Sequence, residues 1–152
     1  MRHAHLAGMG RRAMLGYLLF AVPFSAAAIA LGVFLPLNAV GGPEETREVW
    51  VGLWLFGLML VLAGLTVLLP ATVSWWHRTR ASAAYRRDPA AGLAAAEQAD
   101  RLELRFVSTT PVGMRTGPGV PAVAHRVNRL LAWMWGLGVM VAVLAIIWAS
   151  IG

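Results

Sequence analysis

Three apolar runs, residues 13–37, 49–70 and 130–151, contain no Asp, Glu, Lys, Arg or His. As helices rising about 1.5 Å per residue, each is long enough for the ~30 Å hydrocarbon core of a bilayer. The rest of the composition agrees. Hydrophobic residues make up 59% of the 152-residue chain and charged residues only 13%, against about 45–50% and 25% in soluble domains. A lipid-facing surface is the simplest cause of that imbalance. The expected fold class is therefore all-α: an integral membrane protein with three transmembrane helices.

Residues 1–12 carry Arg2, Arg11 and Arg12 with no acid and lead directly into the first run. A secretory signal has a similar basic start, but its apolar region is about 7–15 residues long, whereas this run has 25. A retained anchor is expected. Pro23 within it removes one backbone donor and predicts a kink, which neighbouring helices or Ser25 can accommodate. Ala26 with Ala30, and Ala28 with Gly32, are small pairs four apart, suited to close helix contact.

Residues 38–48 form a short acidic loop in which Pro43, Glu44 and Glu45 read as the first turn of the next helix. The second span is 49–70, with Pro70 expected to end or kink it. The long segment 71–129 holds nine of the 13 basic residues. Within it, Asp88-Pro89 is an N-cap followed by a first helical residue, predicting an amphipathic helix over 89–106. Its face of Ala95, Ala99, Leu102 and Phe106 is expected on the membrane surface or a partner protein, with Glu97 and Arg101 paired four apart. Residues 108–120 carry too many Gly and Pro breakers for regular structure. Helix is expected again near Pro121, leading into the third span at 130–151.

Charge orients these spans. Twelve arginines and four acids flank the first span's start or lie in 71–129, a net of +8, whereas residues 38–48 hold one arginine and three glutamates, a net of −2. The positive-inside bias then puts the N-terminus and the 71–129 loop in the cytoplasm and the C-terminus outside. A multi-pass protein of the bacterial inner membrane is expected. Trp50 and Trp54, Trp75 and Trp76, Trp133 and Trp135, and Trp148 lie near span ends, as interfacial aromatic belts require.

The chemistry is bounded mainly by what the chain lacks. It has no cysteine, which removes disulfides, thiolate catalysis and Cys-based metal sites. All 13 cations are arginine, so Schiff-base lysines and Walker-type loops are also excluded. The net charge of +6 follows from topology, so no nucleic-acid partner is inferred. The spans carry no ionisable group of the kind that pumps and ion exchangers place at membrane depth. Their polar side chains, Tyr17, Ser25, Thr66 and Ser150, read as backbone hydrogen bonds or helix contacts.

His77 and His125 flank the inner ends of spans two and three and are the weak candidates for a shared haem or a quinone. His3 and His5 lack companion ligands, and no metal site is assigned. Ser74, Ser82 and Ser108 sit in no nucleophile motif. The stretch Gly113-Met114-Arg115-Thr116 resembles a Gly-x-Arg-Thr element of SdpI-like immunity membrane proteins. The Trp that follows it there and the later pair of spans are missing, so no fold or activity is carried over. Arg78, Arg80, Arg86 and Arg87, with Arg126 and Arg129, fit anionic lipid headgroups or a partner's acidic surface. Topogenic charge accounts for the same residues.

The expected function is non-catalytic: an accessory or assembly subunit of a larger bacterial inner-membrane complex, without a cofactor. Its partners would be membrane lipids and other integral subunits or copies of itself. The alternatives are a small homo-oligomeric transporter or channel, and a haem- or quinone-associated anchor.

Overall fold

A computed structural model describes residues 12, 14–39, 46–102, 104–105, 113–114, 118–119 and 121–151. Three helical segments in it are long and apolar enough to cross a membrane, Met14–Asn38, Arg47–Arg87 and Ala122–Ile151. Among the described residues the architecture is helical apart from one two-residue ladder.

The first segment begins irregularly. A π-helical turn, Tyr17–Ala21, runs into helix α1, Val22–Ala39, and the amide of Val22 donates to Tyr17 O, five residues back. Pro23 supplies the reason. It has no N–H for the carbonyl four residues earlier, so the α ladder cannot continue unchanged and the turn widens. The backbone donor lost at Pro23 is thus accompanied by a π turn just before it.

Helix α2, Arg47–Arg87, is the axis of the molecule and is one continuous helix of 41 residues. Of the two outcomes expected at Pro70, an end or a kink, the first does not occur: the helix runs on through it. Proline removes one helical hydrogen bond, and packing against neighbouring helices can offset that loss. Pro70 is almost completely buried in this helix. At about 1.5 Å per residue α2 is roughly 60 Å long, twice the thickness of a hydrocarbon core. Its first turn contains Glu48, favourably placed for the helix dipole. Pro43, Glu44 and Glu45, expected in that turn, lie outside the described residues.

α1 packs on α2 through small residues. A Cβ on Gly32 or Gly57 would strike the backbone carbonyl of the other, and one on Gly64 would lie 2.9 Å from Ile29 and 3.1 Å from Ser25 O. Backbones this close need glycine. The buried stripe of α1 is Ser25, Ala28, Gly32 and Pro36, so the Ala28–Gly32 pair is used while Ala26 and Ala30 are exposed. Toward residue 14, the Tyr17 hydroxyl lies 3.2 Å from Thr72 Oγ1, and its ring stacks on Trp75 with centroids 4.8 Å apart.

Asp88 ends α2 and starts α3, Pro89–Asp100, by accepting a hydrogen bond from the Ala90 amide at 2.9 Å. α3 folds back on α2 at Gly92, where a Cβ would collide with the Tyr85 backbone. Ala81 of α2 and Ala96 and Ala99 of α3 form a small core, with Tyr85 and Ala95 against it. The apolar side of this helix therefore meets the chain's own α2, not a surface outside the chain.

α3 stops at Asp100 and not near 106; Phe106 lies outside the described residues. Leu102 turns inward, donating its amide to Ala99 O, and the chain forms β1, Leu104–Arg105, antiparallel to β2, Gly113–Met114. The breaker-rich stretch thus contains a short ladder. Leu102 and Met114 lock into a second core with Ala124, Val127 and Leu131 of α4, Ala122–Ile151, against Leu69 and Val73 of α2. That burial explains why α3 ends early, since a helix continuing past residue 100 would carry Leu102 along α2 and away from this cluster.

α4 lies on the side of α2 opposite α1. Gly64 faces α1 and Thr66 faces α4, and two helical residues are about 200° apart. Leu62 packs on Gly138, and Trp135 Nε1 donates to Thr66 Oγ1 at 2.9 Å. At the far end the Arg47 guanidinium lies 4.5 Å over the Trp148 ring, tying the start of α2 to the end of α4.

Candidate functional site at the charged end of the helices

The chain's polar architecture concentrates where the second half of α2, α3, the two-residue ladder and the start of α4 meet. Asn128 of α4 holds the ladder in place. Its Oδ1 accepts the Met114 amide at 2.8 Å and its Nδ2 donates to Met114 O at 2.7 Å, satisfying both backbone groups of one residue. Arg101 donates through Nη1 to Gly119 O at 2.9 Å, and Ser74 Oγ donates to Leu102 O at 3.4 Å. Gly119 has φ +78°, a left-handed conformation that glycine adopts freely. The Arg101 head that was expected to pair with Glu97 thus closes the Pro118-Gly119 turn onto α3.

The arginines expected to form one cluster do not share one face. At about 100° per helical residue, Arg78 lies about 160° from Arg80, and Arg86 about 100° from Arg87; only Arg80 and Arg87 fall on one side. Arg80, Arg86 and Arg87 are exposed, Arg80 lying 5.6 Å over the Trp76 ring. Arg86 and Arg87 occupy the last turn of α2, where positive charge complements the helix dipole. Arg126 and Arg129 are exposed on α4. Arg78 alone is half-buried, and its Nε is sealed from solvent without a hydrogen-bond partner.

The two histidines are not brought together on one face. His77 is half-buried on α2 and His125 is exposed on α4. The buried side of α4 is Ala124, Val127 and Leu131, and His125 stands about 100° from Ala124 and about 160° from Val127. It is turned away from α2. Among the described residues, no group of three His, Asp or Glu could hold a metal. His3, His5, Ser108, Arg115 and Thr116 lie outside the described residues.

Two arrangements escaped the sequence reading. Asn128, beside Val127 in the lead into the third span, was the available sign of a half-buried polar clamp, but its partner is a backbone 14 residues away. The Tyr17–Trp75 stack and the unpartnered indole Nε1 of Trp75 join segments 58 positions apart, and aromatic-belt patterning gives no hint of them. Comparison with protein-family models, curated proteins and solved structures gives no match to this chain.

Proposed function

We propose that the chain is a non-catalytic accessory or assembly subunit of a larger complex in a bacterial inner membrane. In this reading α1, α2 and α4 cross the bilayer with the N-terminus inside and the C-terminus outside, and the α2–α3 hairpin stands at the inner face. The observation that carries it is the isolation of α4. Beyond Gly138, no described residue of α4 is buried, and Arg47 over Trp148 ties that half to the start of α2. Leu144, Ile147 and Trp148 are each about half exposed or more.

Lipid covers apolar surface of this kind, and so does a partner helix. The exposed small pairs Ala132 with Gly136, and Ala26 with Ala30, support the partner, because four-residue spacing of small side chains lets backbones approach closely. The polar end supports a docking role over catalysis. Its hydrogen bonds from Asn128, Arg101 and Ser74 all close on the chain's own backbone and shape a surface.

Extraction from native membranes in mild detergent, followed by native mass spectrometry, tests this reading. The expected result is a co-purifying set of integral membrane subunits in fixed ratio. A solitary monomer in every mild detergent would sink it.

A further inference from the structure

We propose that Trp75 and Arg78 form a binding site for a phosphate group, in the seam where the first turns of the α1 segment and the end of α3 meet on α2. The site is independent of the subunit reading above, since a headgroup or a free phosphate needs no partner protein.

Trp75 Nε1 and Arg78 Nε are both buried N–H donors without a hydrogen-bond partner. An indole N–H and a guanidinium only donate, so neither can be satisfied by another donor. A buried donor left without an acceptor is costly, and more so when it is charged. Two of them three residues apart on one helix are neighbours, separated by about 60° and about 4.5 Å of rise.

Their direction follows from α2. Gly57, Gly64 and Trp75 point toward α1, and Ala81 and Tyr85 point toward α3. Arg78 falls between the two sectors, about 60° from Ala81 and about 60° from Trp75. The Trp75 ring is fixed by the 4.8 Å stack on Tyr17, with the planes 7° apart, and the Tyr17 hydroxyl is already engaged by Thr72. On the other flank, Ser74 holds Leu102 O. The seam is thus flanked by a ring stack and a side-chain hydrogen bond and holds two donors that lack an acceptor.

The acceptor chemistry follows from the pair. Arg78 calls for an anion with more than one oxygen, and guanidinium recognises phosphate well. A neutral carbonyl would satisfy the indole and leave the cation unpaired. Trp75 and Arg78 lie one to two turns beyond Pro70, the depth at which headgroup phosphates would lie if 49–70 fills the hydrocarbon core.

The test uses the full chain in detergent and native mass spectrometry, with dioleoyl phosphatidylglycerol, dioleoylglycerol and inorganic phosphate as probes. Phosphatidylglycerol is expected to be retained at least about tenfold over dioleoylglycerol, and Arg78→Gln to lower its retention by about tenfold. Trp75→Phe keeps the stack on Tyr17 but removes the N–H, and a loss of a few fold is expected. Arg86→Gln, at an exposed position, leaves retention unchanged. Displacement of the lipid by millimolar inorganic phosphate assigns the site to a free phosphate group, and resistance to displacement assigns it to the headgroup. Should Arg78→Gln fail to fold, Trp75→Phe carries the decision. Equal retention of the two lipids, or equal losses from the variants and Arg86→Gln, overturns the proposal.

Discussion

Thr66 shows how one side chain can join two helices. Its hydroxyl donates to Leu62 O at 2.7 Å and accepts from Trp135 Nε1 at 2.9 Å, so both of its roles are filled. Thr66→Val keeps the shape and leaves the indole N–H without its partner. The expected loss is about 1 kcal/mol, since hydrogen bonds between apolar membrane helices have measured at about 0.6 kcal/mol on average and about 1.7 at most. Thr66→Ser should keep most of that stability. The midpoint of unfolding as sodium dodecyl sulfate is titrated into mild detergent checks both, and a Val variant as stable as the Ser variant would remove the bond from the account. At this scale the sequence was only half legible. Thr66 read as a helix contact because a hydroxyl in an apolar run has few other uses, but Trp135, 69 residues on, could not be named. Asn128 was harder still, because its partner is the main chain of Met114 and carries no side-chain signature.

Element by element, legibility tracks how local the determining force is. The three long helices follow from runs without charge, and the Asp88 cap of α3 follows from a two-residue motif. The end of α2 did not follow, because proline's local preference at position 70 is outweighed by packing that is settled only in three dimensions. The end of α3 was missed for the same reason, with Leu102 recruited into a core built from α2 and α4. Small-residue spacing predicted close contact for α1, but not whether Ala26 and Ala30 or Ala28 and Gly32 would make it. The glycines give a paired test. Gly57→Ala would push a methyl into the carbonyl of Gly32, whereas nothing lies within 4 Å of a Cβ at Gly52. Gly57→Ala is expected to cost about 1–3 kcal/mol through overpacking, and Gly52→Ala to be neutral or to gain up to about 1 kcal/mol of helix propensity. Backbone hydrogen exchange along α1 reads the difference, rising only in the Gly57 variant. Gly92→Ala separates the hairpin from the spans. Its methyl meets the Tyr85 backbone, so proteolysis between residues 88 and 102 should accelerate while the helix content of the three long segments holds.

For the whole molecule, the geometry of α2 makes membrane topology the measurement with most consequence. A helix of roughly 60 Å cannot lie within a ~30 Å hydrocarbon core unless it is nearly flat, and its apolar half is residues 49–70. The other half carries Arg78, Arg80, Arg86 and Arg87 and the docked α3, so in the proposed reading the long helix projects from one face as a support. With a net of +8 on that side and −2 on the other, the positive-inside bias predicts that the support stands in the cytoplasm. The Arg47–Trp148 contact puts the end of α4 beside the start of α2, away from the arginine-rich half. A reporter phosphatase that is active only outside the cytoplasm should therefore be active when fused after Gly152 and inactive when fused after Arg87 or Gly119. Replacing Arg78, Arg80, Arg86 and Arg87 by Gln lowers the inner sum from +8 to +4, still above −2, so the same pattern should persist in that variant. Activity after Arg87 with silence after Gly152 would turn the molecule over. The hairpin would then face the outside, and any subunit docking on α3 would have to be sought there.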